Sequence, residues 1–120
     1  MGTTNTMTTG IKYDQGKLKF SLLKYNAFME MLKVVNYGAN KYSPDNWKML
    51  ENSKERYFDA ANRHLWAWWS GERYDAESKL HHLAHTMSSL LFIIEMDKLE
   101  ESAQPQKELE LVFNSGPHGY

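Results

Sequence analysis

A chain of 120 residues, 42% hydrophobic and 13% aromatic, has the size and apolar content of one globular domain and is too short for two. A net charge of −1 gives no general attraction to a polyanion, and the lack of cysteine excludes disulfides, thiolate zinc sites and a thiol nucleophile. With no basic leader and no run of about 18 apolar residues, the expectation is a soluble, cytoplasmic protein whose partners are neither membrane nor nucleic-acid polymer.

Residues 1–10 are Thr-rich and read as a flexible arm, 11–101 as an all-α domain, and 102–120 as a tail mixing Pro, Gln, Gly and charge. The first helix is expected from about Leu22 to Ala39, with Phe28, Leu32, Val35 and Ala39 on one face and Gly38 and Ser43-Pro44 marking its end. The second should start after Asn52, whose spacing to Glu55 resembles a capping box. It should present Tyr57, Ala60, Ala61, His64, Leu65 and Trp68 along one side and stop at Gly71. The third is expected to begin at Asp75 or Ala76, with Leu80, Leu83, Ala84, Met87, Leu90, Leu91 and Ile94 in a stripe and Phe92 and Ile93 outside it. Such a helix is apolar nearly all round in its second half. A bundle of three to four helices cannot surround it, so a homo-oligomer is expected.

The chemistry-bearing residues concentrate in "ANRHLWAWWSGERYDAESKLHHLAH", residues 61–85. His82 and His85 stand three apart, which suits one ion or one phosphate; solvated histidines on a polar face are the plain alternative. His64 falls within an apolar face, so it is either a core imidazole satisfied by a hydrogen bond or a functional group. Arg63 beside it fits phosphate oxygens or a surface ion pair. Glu72 and Asp75 are close enough in sequence to share a hard divalent cation, although Asp75 also reads as a helix N-cap and Glu72 as a turn residue. Glu30, off the main face of the first helix, is a more distant carboxylate candidate. In "YGANKYSPDNW", residues 37–47, Lys41 suits phosphate and Tyr42 or Trp47 a flat ring, with ordinary packing the competing explanation for the aromatics. "YDQGKLKF" sets Asp14 and Lys17 around Gly16 on a turn.

Taken in order, "KYDQGKLKF", "YGANKYSPDNW", "RHLWAWWSGERYDAES" and "HHLAH" resemble the phage and prophage family of dATP/dGTP diphosphohydrolases, in its N-terminal domain, which is related to the MazG-like all-α nucleotide pyrophosphohydrolases. The resemblance implies a MazG-like, oligomeric all-α bundle. It also implies a Mg²⁺- or Mn²⁺-dependent enzyme that hydrolyses a purine dNTP to the monophosphate and pyrophosphate, in a host cytoplasm if phage-encoded. The roles it implies are catalytic for His64, Glu72 and Asp75. Asp14, Lys17, Lys41, Tyr42, Asn46, Trp47 and Arg63 would bind nucleotide, and Glu72, Asp75, His82, His85 and Glu30 would hold metal. One departure stands out: the chain lacks the Glu-Glu-x-x-Glu of MazG-like enzymes in the narrow sense, and its Glu-x-x-Asp is Glu72 to Asp75 on a turn. A protein that sequesters a nucleotide without hydrolysing it is therefore the alternative, and a purely structural bundle a third.

Overall fold

Between Tyr25 and Lys41 there is no proline and a single glycine, and this stretch folds as helix α1 (Tyr25–Lys41) in the computed structural model of the protein, which describes residues 10–103. A 3-10 turn (Phe20–Leu22) precedes it where the sequence pattern places the first helical residues. The Tyr42 N–H closes the helix on the Gly38 carbonyl at 2.9 Å, and Pro44 follows within two residues. A one-turn helix, α2 (Asn46–Met49), then leads into α3 (Ser53–Trp69), and α4 (His82–Ala103) completes the set. The described residues contain no strand beyond a single bridge between Tyr74 and His81, so the architecture is an all-α bundle. No helix among them is long and apolar enough to cross a membrane. The expected arm and tail lie outside the described residues, apart from Gly10 at one end and Ser102 and Ala103, which belong to α4, at the other.

Two helix starts differ from the sequence reading. The Asn52–Glu55 capping box does not form: Asn52 is left-handed (φ 56°) and its side chain caps nothing, while the Ser53 hydroxyl donates to the carbonyls of Trp47 (2.7 Å) and Leu50 (3.1 Å). The last helix begins at His82 rather than at Asp75 or Ala76. Asp75 does cap backbone N–H groups, those of Glu77 and Ser78, but it caps a turn and not a helix. Lys79 sits at φ 66°, which a helix does not tolerate, and its N–H returns to the Asp75 carbonyl at 2.8 Å. His81 is the residue that caps α4, its Nδ1 accepting from the Leu83 N–H at 3.0 Å.

Packing divides the expected stripe, with Ala84 buried, Leu80 and Leu83 half-buried and the residues from Met87 onward turned outward. Helix α4 lies mainly against α3 and secondarily against α1, and its buried side chains are His82, Ala84, Thr86, Ser88 and Ser89. Small side chains at the crossing, Ala61 on α3 and Ala84 on α4, let the backbones approach until the Thr86 hydroxyl reaches the Ala61 carbonyl at 2.9 Å. On α1 the buried residue is Val34, whereas Phe28 and Leu32 of the expected face remain partly exposed. Met87, Leu90, Leu91 and Ile94, the later members of the stripe, stand on the outside with 39–60% of their surface exposed. Helical periodicity identifies an apolar face without saying which face meets this chain's own helices.

Candidate functional site

The end of α3 sets the first functional side chain. Gly71 adopts φ 110°, its N–H returns to the Trp68 carbonyl at 3.0 Å, and the Glu72 N–H returns to Ala67 at 3.0 Å, a double closure that a Cβ-bearing residue at position 71 would strain. The chain leaves the helix with Glu72 directed back towards α4. Its Oε1 accepts from His82 Nε2–H at 2.7 Å.

Residues 73–82 then form a pinched turn, with the Asp75 N–H bonded to the Leu80 carbonyl (2.8 Å) and the His82 N–H to that of Arg73 (2.9 Å). This turn carries Asp75 to the side of α3 that bears His64. The ligand atoms of His64, Asp75 and His82 all lie within 4.8 Å of one another. His64 Nδ1 is 2.8 Å from His82 Nδ1, and the His64 ring stacks on that of His85 with centroids 4.2 Å apart and planes 11° apart. His85 is held in turn by the Ser78 hydroxyl, 2.7 Å from Nε2. Glu72, Asp75, His64, Ser78, His82 and His85 thus form one connected polar group at the junction of α3, α4 and the turn.

Because Glu72 fixes the proton of His82 on Nε2, the Nδ1 of His82 presents a lone pair, and His64 Nδ1–H donates to it. Burial pushes the His64 imidazole down to about 4, and the neighbouring His85 and His82 act in the same direction. It is therefore neutral at physiological pH and available as a ligand or acceptor. Burial also lowers His85. For Asp75, burial acts upward, but the hydrogen bonds from Ser78 and the nearby histidines outweigh it and leave the carboxyl below its ordinary value.

The polar group opens into a cleft of about 700 Å³ lined by all four helices and the turn. On one wall Trp47 stacks on Phe92 (5.4 Å, 19°), and Tyr57 leans on the same ring at 5.3 Å. Tyr42 and Asn46 line the mouth, Tyr42 with 63% of its surface exposed. Arg56 and Arg63 also line the cleft, and neither pairs with a carboxylate among the described residues. Lys41 does pair: its Nζ donates to Glu77 Oε2 at 2.5 Å, and the Tyr37 hydroxyl donates to the same oxygen at 3.1 Å. The pair raises the Lys41 ammonium above its ordinary range and lowers the Glu77 carboxyl. A second groove, about 580 Å³ between Trp47 and Glu100, offers no comparable chemistry, since its Lys54 is already bonded to Asp97 and Glu100.

Of the residues singled out from sequence, Lys41, Tyr42, Asn46, Trp47, Arg63, His64, Asp75 and His85 share this cleft; His82 is buried behind His64, and Glu72 is bonded to His82 from its more exposed side. Three are not brought there. Asp14 and Lys17 occupy an exposed turn, Lys17 N–H to Asp14 carbonyl 3.0 Å, and do not line the cleft. Glu30 is bonded to Lys33 on α1, also away from the cleft lining. Glu77, Tyr37 and Arg56 are the residues that sequence reasoning misses. Glu77 lies inside the quoted "GERYDAES", but its partner is 36 positions away, so no local spacing reveals the contact.

The model of the family described as "dATP/dGTP diphosphohydrolase, N-terminal" matches residues 7–106. The chain belongs to the dATP/dGTP diphosphohydrolase N-terminal family. Within that family it is similar to a protein of Salmonella phage PMBT28 named "dATP/dGTP diphosphohydrolase", with 41% identity over 85 residues, or 71% of this chain. It covers 29% of that relative's length, so the likeness concerns less than a third of the phage protein. No solved structure matches the chain. The aligned family region contains both the cleft and the polar group beneath it.

Proposed function

We propose that this domain is a divalent-metal nucleoside triphosphate pyrophosphohydrolase acting on dATP or dGTP, releasing the monophosphate and pyrophosphate. The observation that carries the proposal is the joining of His64, Asp75, His82 and Glu72 beside a cleft that His64 and Asp75 line and that also holds two arginines without carboxylate partners among the described residues. A triphosphate needs both: cationic forks for its oxygens and a ligand set for the cation that accompanies it. The printed name of the phage relative points to the same class of substrate.

Arg63 and Arg56 would hold phosphate oxygens bidentately, and Lys41 would join them after releasing Glu77. The exposed Tyr42 ring, or the Trp47 ring already stacked on Phe92, would cover the purine, with Asn46 at the mouth in reach of its polar edge. The imidazole–carboxylate group fits a divalent cation: neutral imidazoles and a carboxylate are its donor types, and Asp75 keeps its negative charge. Bound there, Mg²⁺ or Mn²⁺ supplies charge to the phosphate oxygens and a lowered pKa to a coordinated water. The chain's own share is orientation, since Glu72 locks the His82 ring and Ser78 the His85 ring.

The second reading is a binder that keeps the nucleotide intact, favoured by the missing Glu-Glu-x-x-Glu and by the closed Lys41–Glu77 pair. Incubating the domain with dATP, dGTP and their ribose counterparts, with and without Mn²⁺, and then denaturing it separates the two. The hydrolase returns the monophosphate from the purine dNTPs. Recovery of intact triphosphate alone supports the binder.

A further inference from the structure

We propose that the cation is held by His64 Nδ1, His82 Nδ1 and Asp75, with Glu72 and His85 as positioning residues, and that the site selects transition metals of the Mn²⁺, Co²⁺ and Zn²⁺ class over Mg²⁺. The inference deepens the hydrolase reading by naming the ligand set and the metal class, but it rests on geometry that exists without nucleotide.

Five side chains near the junction have ligand atoms, and their hydrogen bonds divide them. His82 Nε2 is committed to Glu72 at 2.7 Å and His85 Nε2 to Ser78 at 2.7 Å. What remains turned inward is the pair of Nδ1 atoms on His64 and His82, 2.8 Å apart, with an Asp75 oxygen inside the same 4.8 Å group. Two nitrogens at neighbouring positions on one ion, each bonded at about 2.1 Å, lie about 3 Å apart, so a cation replaces the shared proton with a displacement of a few tenths of an ångström.

Replacing that proton costs little on the His82 side, because Glu72 already holds the Nε2–H tautomer. A carboxylate behind a ligating imidazole, fixing its tautomer and ring, is the usual outer partner of a metal-bound histidine, and its loss weakens binding about 10- to 100-fold. His82 is also 4% exposed, so its ring has no room to turn away. Glu72 is 61% exposed on its side chain and bonded to the outer nitrogen, which makes it a support and not a ligand. His85 lies face to face with the His64 ring, at 4.2 Å, and so braces that ring instead of pointing a nitrogen at the same ion.

Ligand chemistry sets the metal. Mg²⁺ takes oxygen donors and gives up water reluctantly, whereas imidazole favours the later divalent ions and Mn²⁺ accepts nitrogen and oxygen together. Two imidazoles and one carboxylate therefore place this site on the transition-metal side.

Calorimetric titration of the chelator-treated full chain without nucleotide tests the ligand set and the metal class together. One Mn²⁺ or Co²⁺ per chain is expected, bound at least about 100-fold more tightly than Mg²⁺, while equal or tighter Mg²⁺ binding overturns the proposal. His64→Ala and Asp75→Asn should abolish binding, Glu72→Gln should weaken it about 10- to 100-fold, and His85→Ala should leave an ion bound. Loss with His85→Ala and retention with His64→Ala overturns the assignment. Because a variant can misfold, Mn²⁺-soaked crystals of the unaltered protein locate the ion independently through its anomalous peak. A peak on His64, His82 and Asp75 supports the set, and one on Glu72, His85 or Glu30 contradicts it. An ion bound as predicted in a protein that leaves every nucleotide intact would sink the hydrolase reading and leave this site standing.

Discussion

Lys41 and Glu77 form an ion pair on the wall of the cleft. In this structure the Lys41 ammonium, which lines the cleft, is already bonded to the Glu77 carboxylate, and the Tyr37 hydroxyl donates to the same carboxylate. Both partners are substantially exposed, so solvent screens the pair and its loss should change affinity by no more than about fivefold. Glu77→Gln should therefore tighten binding of a dNTP by up to about fivefold in calorimetry, and an unchanged or weaker affinity would show that Lys41 does not meet the nucleotide. A second single-residue effect is structural. The buried Thr86 hydroxyl bonds the Ala61 carbonyl, and Thr86→Val should cost about 1 kcal/mol, a fall of several degrees in melting temperature. No fall would mean that the bond contributes nothing to the α3–α4 crossing.

Turns, more than helices, decide where the functional groups stand. Two positions with positive φ bracket the segment that carries Glu72, Asp75 and Ser78: Gly71 at φ 110° and Lys79 at φ 66°. Opposite substitutions should have opposite effects. Gly71→Ala meets no neighbouring atom within 4 Å, so its cost is backbone strain of about 1–2 kcal/mol, whereas Lys79→Gly relieves strain and should raise the melting temperature. Calorimetric melts of the two variants check the pair, and equal shifts in one direction would contradict it. Lys79 is also why sequence pattern places the start of the last helix too early. Asp75 looks like an N-cap, and it does accept two N–H groups, but a left-handed residue four positions later breaks the run that periodicity suggests. The existence of α1, α3 and α4 follows from their 3.6-residue pattern, and the stop at Gly71 follows from glycine's access to positive φ. The contacts of Glu72 with His82 and of Lys41 with Glu77 do not follow from any pattern, since they form only after the helices have docked.

For the molecule as a unit, the buried hydrophobic residues of the described chain are few and small, Val34, Ala61 and Ala84, while Met87, Leu90, Leu91 and Ile94 line the outer face of α4. The buried polar side chains of α4 are His82, Thr86, Ser88 and Ser89. Of the apolar stripe of α4, Ala84 meets this chain's own helices, whereas the larger residues after it face outward. We propose that another copy of the chain covers the stripe, as the helix composition leads one to expect. Light scattering should give a multiple of the chain mass, and Leu91→Arg should reduce it; a monomeric mass for the unaltered protein contradicts the assembly. The function proposed for the cleft is tested most directly by ³¹P spectroscopy of the domain with dATP or dGTP and Mn²⁺. The expected spectrum shows pyrophosphate and the deoxynucleoside monophosphate growing in equal amounts. A diphosphate with inorganic phosphate, or an unchanged triphosphate, would contradict it.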